Sequence, residues 1–215
     1  MQDVEELATQ ARTVIATARA ITLMISGVGP VTTDDPVSFA QADDGVPTFL
    51  CEPGSRVCPA IGQCAVLRAE AGDGAVAMLG RLRRVGTRTV EGIVLDVVAL
   101  QPDNVVLEPC GQRAARREVP IEAYLAAGLD QLRCRGERFA MHANRMHGSR
   151  LRAAVARRAG VPQGAIAAAR ISRVDEHGVT IEWIGEAGGD VLDIAFATPA
   201  RTAEEWARRL RTELG

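Results

Sequence analysis

Apolar positions at helical spacing open the chain and close it. Over residues 3–18 they recur every three or four positions, a pattern that predicts an amphipathic helix packed on a core. Near the C-terminus, Thr202 and Glu205 form a capping-box pattern ahead of a final helix that carries Trp206 and Leu210.

Between these ends, the first 130 residues are dominated by short β-branched or alternating runs, which predict strands over 20–28, 47–51, 75–85, 104–108 and 116–119. The polar segment 32–45 is expected to be the long loop of a hairpin. Residues 90–100 are ambiguous: their apolar spacing favours a helix, which we adopt as the prediction, whereas their β-branching favours a strand. Residues 120–125 start a short helix with proline in its first turn.

The most natural domain boundary is 128–133, and a different pattern follows it. One long helix is predicted over 135–158, ended by a glycine- and proline-containing stop signal at 160–164. Three short strands are then predicted over 167–175, 179–184 and 191–196, with turn residues typical of hairpins between them.

Composition narrows the class of protein. The chain has 215 residues, 47% hydrophobic and 24% charged, with a net charge of -2, which suits a soluble globular protein of two small domains. Its arginine-rich segments alternate with acidic ones and only 3% of residues are aromatic, so no nucleic-acid surface is predicted. No run approaches the roughly 18 apolar residues of a membrane span, and the acidic start lacks a signal-peptide pattern, so cytoplasmic location is expected.

The five cysteines are an odd number in a chain without an export signal, which indicates reduced thiols. The spacing of Cys51, Cys58 and Cys64 matches none of the close zinc or iron–sulfur patterns. Nothing in the sequence assigns a role to these three, to Cys110 or to Cys134.

Two short segments could bind an anion. A turn containing Ser55 and Arg56 could present backbone N–H groups and a guanidinium to a phosphate, or it could be only a turn. Alternation along the strand predicted over 75–85 places Arg81 and Arg83 on one face, which is either an anion site or exposed surface.

The most chemically distinctive stretch is 142–147, which holds two of the three histidines. On an unbroken helix His142 and His147 would lie roughly 140° apart, which argues against joint chelation of one metal ion. Both would then be packing histidines with hydrogen-bond partners. His147 would fall within an apolar arc formed by Phe139, Ala143, Met146 and Ala154. His177 occupies a turn, where a solvated side chain is expected.

The same stretch supports a resemblance. His142, Asn144 and His147 retain a His-x-Asn-x-x-His pattern, which follows the segment 121–130 and Glu137-Arg138-Phe139. Together these resemble the junction and tail domain of the haem-utilisation, pyridoxamine-phosphate-oxidase-like split-barrel family. Ala143 stands where that family usually has methionine, and Arg145-Met146 where a small or acidic pair is common.

The resemblance implies an α+β protein with two domains. Residues 1–130 would form an FMN-binding-like split β-barrel with an N-terminal helix. Residues 131–215 would form a small α/β tail domain consisting of a helix, a three-stranded antiparallel sheet and a helix. It also implies a homodimer whose ligands, a tetrapyrrole or a flavin, occupy clefts at the dimer interface.

The resemblance gives two sets of candidate cofactor residues. Flavin phosphates in such barrels are held by Arg, Lys, Ser or Thr, which makes Ser55, Arg56, Arg81 and Arg83 the candidates for FMN or a deazaflavin. For haem, an imidazole is the usual axial ligand, and the motif residues His142, Asn144 and His147 are the candidates, with His142 and His147 able to bind the iron.

Three functions follow as hypotheses. The first is haem binding in iron metabolism, with oxidative haem degradation as a possible activity. The second is a flavin- or deazaflavin-dependent oxidoreductase, in which the cofactor carries the hydride chemistry. The third is a non-catalytic regulatory or interaction protein of tetrapyrrole or iron metabolism, consistent with the lack of a recognisable nucleophile or acid/base pair. The sequence leaves open whether the protein is an enzyme.

Overall fold

The computed structural model describes residues 4–31, 37–41, 44–72, 74–109 and 115–214. The chain divides into two compact units, Met1–Leu129 and Asp130–Gly215, and each is described by itself. No helix among the described residues is long and apolar enough to cross a membrane.

The first unit consists of a strongly curled antiparallel sheet with two helices. The elements of this unit are α1 (Val4–Ala16), β1 (Ala20–Ile25), β2 (Gly29–Val31), β3 (Val37–Gln41), β4 (Pro47–Cys51), a 3-10 turn (Cys58–Ala60), β5 (Cys64–Ala71), β6 (Gly74–Val90), β7 (Ile93–Pro109), β8 (Arg117–Glu118) and α2 (Ile121–Ala126). The strand order is β2-β1-β5-β6-β7-β4-β3, with β8 paired to β7.

The apolar pattern of the first unit is reflected in its core. The predicted N-terminal helix is confirmed as α1, and its buried face includes Leu7, Ala11 and Val14. Along β5, exposed and buried positions alternate, so one face of the sheet is apolar and the other is solvated. The segment 32–45 is not only a loop, because β3 lies within it and pairs with β4; residues 32–36 and 42–43 lie outside the described residues.

Residues 93–100 form the start of β7 and Val90 ends β6, so the helix predicted over 90–100 is wrong. β6 and β7 pair from Gly74 and Pro109 to Val90 and Ile93, where a two-residue turn joins them. The apolar residues at helical spacing are equally compatible with a strand. The long register with β6 decides the outcome, because it provides hydrogen-bond partners for the backbone and packing for the β-branched side chains.

The second unit is a three-stranded antiparallel sheet with three helices, and the sheet order is β11-β10-β9. The three predicted strands and the final helix are confirmed. The elements are α3 (Gln131–Met146), α4 (Gly148–Ala159), a 3-10 turn (Gln163–Ala165), β9 (Ile166–Asp175), β10 (Gly178–Gly185), β11 (Gly188–Ala195) and α5 (Ala203–Leu214).

The single helix predicted over 135–158 is wrong, because two helices meet at His147. The backbone of His147 leaves the helical region (φ -126°, ψ 27°), and Gly148, a poor helix former, follows it. The His147 N–H still donates to the Ala143 carbonyl at 2.8 Å. Met146, predicted to lie in an apolar arc, is instead 62% exposed.

The core of the second unit joins the helices to the inner face of the sheet. It includes Val155 from α4, Ile171 and Ile181 from the sheet and Leu210 from α5, all buried. Phe139 of α3 packs edge-to-face on Trp206 of α5, with ring centroids 4.8 Å apart. This aromatic contact holds the first and last helices of the unit against each other.

Candidate functional site

A cleft of about 560 Å³ opens on the second unit, lined by residues of α3, α4 and α5. Its floor is apolar and belongs to the core of the unit: Ala143, Leu151 and Leu210 are buried, and Phe139 packs partly against them. The volume falls within the roughly 300–1,000 Å³ typical of small-molecule sites. The floor of the cleft is therefore apolar, with Phe139 as its half-buried aromatic side chain.

Two imidazoles line this cleft in contact with each other. The rings of His142 and His147 are 5.1 Å apart between centroids and inclined by 73°, an edge-to-face arrangement. His142 is exposed and His147 is half-buried. The helix break at His147 makes this contact possible, so the prediction of an unbroken helix with the two side chains apart is wrong.

Two arginines add positive charge to the same cleft. Arg150 lies in the first turn of α4 and Arg211 near the end of α5, and both are exposed. Neither has an ion-pair partner within the described ranges of the chain. Guanidinium groups without a carboxylate partner can bind an anionic ligand. Neither arginine was predicted from the sequence as a site residue. Arg150 lies about one helical turn after His147, and this spacing could have indicated that the two side chains are close. No pattern in the sequence indicates that Arg211 lies near them.

The side chain of Asn144, the remaining residue of the motif, makes its hydrogen bonds to β9. Its Nδ2 donates to the Ile171 carbonyl at 2.9 Å, and its Oδ1 accepts the Ile171 N–H at 2.7 Å. Asn144 does not line the cleft. In this structure it joins α3 to β9, and in doing so it fixes the helix that carries the histidines.

Ser55 and Arg56 lie in the first unit, in the turn after β4. The Ser55 side chain is 2% exposed, and its hydroxyl oxygen accepts the Val57 N–H at 3.1 Å. Arg56 is exposed, and its guanidinium donates to the Pro30 carbonyl at 2.9 Å. Both side chains therefore already make hydrogen bonds that stabilise this turn.

Arg81 and Arg83 lie on one exposed face of β6, as the alternation predicted. Between them, Leu82 is fully buried and its backbone exchanges hydrogen bonds with Gly62 and Gln63, at the end of the segment that contains Ser55 and Arg56. The four phosphate candidates are thus on neighbouring parts of the first unit. The histidines belong to the second.

A group of polar side chains near β4 was missed by the sequence analysis. Cys58 Sγ lies 3.4 Å from Asp96 Oδ2, and Arg84 forms an ion pair of 2.6 Å with the same carboxylate. Cys51 is opposite Asp96 in the register of β4 with β7. Burial raises the pKa of the Cys51 thiol to about 12, and it also raises the pKa of Cys58. Protonated thiols are poor nucleophiles and poor metal ligands, so this group favours structure over chemistry.

The cleft of the second unit is therefore the best candidate site. It combines imidazole nitrogens, an apolar floor and cationic groups. No cluster of three or more His, Cys, Asp or Glu side chains suited to a metal ion is present in the part of the chain that the structure describes. His177 lies apart in its turn with its side chain 70% exposed, as expected of a solvated residue.

The sequence matches no protein-family model and no curated protein. The structure is similar to that of a haem-binding protein from Mycobacterium smegmatis, with a TM-score of 0.50, 17% sequence identity and coverage of 100% of this chain and 97% of that one. A protein of the general stress family from Xanthomonas campestris pv. campestris covers 54% of this chain and 94% of its own at 17% identity, with a TM-score of 0.41. The likeness to the mycobacterial protein extends over the whole chain and describes the fold.

Proposed function

We propose that this chain binds haem in the cleft of its second unit, with His147 as the iron ligand. The observation that carries the proposal is the presence of imidazole, an apolar floor and two arginines in one cleft. Each corresponds to one part of haem: a nitrogen ligand for the iron, an apolar surface for the porphyrin face and guanidinium groups for the propionates.

Geometry favours one histidine ligand over two. With metal–nitrogen bonds of about 2 Å, two imidazoles on opposite sides of a haem iron have ring centres roughly 6 Å apart, with the porphyrin between them. The rings of His142 and His147 are 5.1 Å apart and in direct edge-to-face contact. One of them can therefore ligate the iron while the other lies beside it.

His147 is the better placed of the two. It is half-buried at the helix junction, and its backbone is held by hydrogen bonds to Ala143 and Leu151. A half-buried side chain has less conformational entropy to lose on binding than an exposed one such as that of His142. Bound haem would supply the iron chemistry; the protein's part would be to ligate the iron, to contact the porphyrin with the half-buried Phe139 and to pair with its carboxylates.

Two comparisons support a haem-related role. The mycobacterial structure that covers nearly the whole of both chains is described as a haem-binding protein. The resemblance of the His-x-Asn-x-x-His stretch to the haem-utilisation family points the same way. We extend the proposal to the architecture: residues 1–130 as a split barrel of the FMN-binding type, residues 131–215 as the tail domain, and a homodimer as the working form.

The test is a hemin titration of the purified full chain, followed by the Soret band. The native protein is expected to show a shifted Soret band at one haem per chain, and His147→Ala to lose it. His177→Ala is the matched control, because His177 is an exposed turn residue, and it should bind as the native protein does. An unchanged spectrum in His147→Ala would overturn the ligand assignment.

The role of Arg150 and Arg211 in binding the propionates is tested by changing the charge of each arginine and the charge of the ligand. Arg150→Gln and Arg211→Gln should each weaken hemin binding, whereas Arg145→Gln, an exposed arginine of α3 outside the cleft lining, should not. The dimethyl ester of haem, which lacks the propionate charges, should bind the native protein and the two cleft variants alike. FMN serves as the comparison ligand, and a protein that binds FMN and ignores hemin would refute the haem proposal in favour of the flavin hypothesis.

A further inference from the structure

We infer that His142 and His147 together chelate a divalent late first-row transition-metal ion, with copper(II) bound most tightly, in the absence of any porphyrin. The inference goes beyond the proposed haem site, because it needs both imidazoles on one ion. It rests on the contact between the two rings and not on the motif.

The distance between the rings suits a shared ion. When two imidazoles bind one ion at adjacent coordination positions with bonds of about 2 Å, their ring centres lie roughly 4.5 Å apart at the right angle that copper(II) prefers and roughly 5 Å apart at a tetrahedral angle. The observed separation is 5.1 Å. The separation needed for chelation is therefore close to the one that the rings already have, and chelation requires a nitrogen of each ring to turn towards the ion.

The break in the helix creates this arrangement. On a continuous helix a separation of five residues would place the side chains roughly 140° apart. The non-helical backbone at His147 (φ -126°, ψ 27°) instead brings its ring back towards His142. Because α3 is held to β9 through Asn144 and Ile171, at least one of the two ligands lies on a fixed element.

The chemistry of the site defines the class of ion. Imidazole nitrogens suit copper, nickel and zinc, and affinity along this series is highest for copper(II). No third His, Cys, Asp or Glu joins the pair to form a larger cluster among the residues that the structure covers. Two protein ligands leave coordination positions open towards the cleft for water or for a small ligand.

The two arginines separate this inference from the haem proposal. Arg150 and Arg211 line the same cleft, and their positive charge opposes a bare cation while attracting a carboxylate. Replacing either with glutamine should therefore leave copper binding unchanged or tighter, whereas hemin binding should weaken. A single substitution thus weakens hemin binding without weakening copper binding.

The experiment is a titration of the full chain, prepared without an affinity tag, with copper(II) alone, followed by calorimetry and electron paramagnetic resonance. One ion per chain is expected, with a spectrum showing two coordinated imidazole nitrogens. His142→Ala and His147→Gln should each lower copper affinity by at least about tenfold, because a single imidazole remains. His177→Ala is the control and should retain the native affinity.

The outcomes distinguish the two proposals. His142 is exposed, so His142→Ala is expected to fold, which circular dichroism checks, and it should bind copper at least about tenfold more weakly than the native protein. A one-nitrogen spectrum, or native copper affinity in His142→Ala, overturns the chelate and leaves the haem proposal intact. Copper binding that needs both histidines, in a protein that does not bind hemin, supports the chelate and refutes the haem proposal.

Discussion

The side-chain amide of Asn144 makes two hydrogen bonds to the backbone of Ile171, one as donor at 2.9 Å and one as acceptor at 2.7 Å. Ile171 lies on β9, an edge strand of the three-stranded sheet, next to a register shift in its pairing with β10. Asn144 therefore provides hydrogen-bond partners for the N–H and the carbonyl of Ile171, as a neighbouring strand would at this edge of the sheet.

Removing this amide should destabilise the second unit. Asn144→Ala leaves the partly buried Ile171 N–H and carbonyl without their partners, and we expect the free energy of unfolding to fall by about 2 kcal/mol. Urea denaturation followed by circular dichroism measures it. Asn144→Asp keeps the acceptor for the Ile171 N–H but loses the donor, so it should fall between the native protein and Asn144→Ala. Full stability in Asn144→Ala would show that water replaces the amide.

Gly80 and Gly86 provide a matched pair on β6, each at a register shift against β7. A Cβ at Gly80 would lie 2.1 Å from the Gln101 carbonyl oxygen, whereas a Cβ at Gly86 would meet nothing within 4 Å. Gly80→Ala should therefore lower the free energy of unfolding by at least about 2 kcal/mol, because backbone atoms must shift. Gly86→Ala should have little effect. Thermal melts of the two variants test this, and equal melting temperatures would contradict the close approach at Gly80.

The buried thiol of Cys51 predicts a loss of stability at alkaline pH. Its pKa is raised from 9.0 to about 12, chiefly by burial, so folding favours the protonated form. The resulting stabilisation is fully present below pH 9 and is lost as the pH rises from 9 towards 12. Urea unfolding at a series of pH values measures the slope. Cys51→Val, which cannot ionise, should have a shallower slope, and an unchanged slope in that variant would assign the effect to other groups.

The hydrogen bonds at the start of α5 predict that the stability of the second unit decreases at acidic pH. The Glu205 N–H donates to the Thr202 hydroxyl at 3.2 Å, and the Glu205 carboxylate accepts the Arg201 N–H at 2.9 Å. This backbone hydrogen bond lowers the pKa of Glu205 below 4.5, so its stabilising effect is present above that value and is lost as the pH falls through the lowered one. Glu205→Gln should reduce the acid sensitivity of unfolding, measured as a pH series of thermal melts.

Thr202 itself is tested by removing its hydroxyl. Thr202→Ala leaves the Glu205 N–H without its capping oxygen and should cost about 1 kcal/mol of stability. Thr202→Ser keeps the oxygen and should be close to the native protein. The cost should appear in the unfolding of the second unit at neutral pH, where the acid effect of Glu205 is absent. Equal stability of the alanine and serine variants would show that this cap contributes nothing.

Local patterns in the sequence predicted much of the fold, since they depend on neighbours along the chain. The face of α1, the hairpin turns of β9–β11 and the contact of Thr202 with Glu205 all arise from residues a few positions apart. The helix prediction for residues 90–100 was wrong because it relied on the same local patterns. Their apolar spacing fits a helix or a strand, and pairing with β6 across the two-residue turn selects the strand.

The sequence by itself identified the two histidines and the helical region that carries them. Only the tertiary structure determined what they can do. The break at His147 brings the imidazoles to 5.1 Å, and the core contact of Phe139 with Trp206 places α5 beside them. Arg211 enters the cleft on that last helix. The histidines and Arg211 line one cleft because the apolar faces of their helices pack on a common core. Burial of those faces is a property of the assembled core, so the spacing of residues along the chain does not predict it.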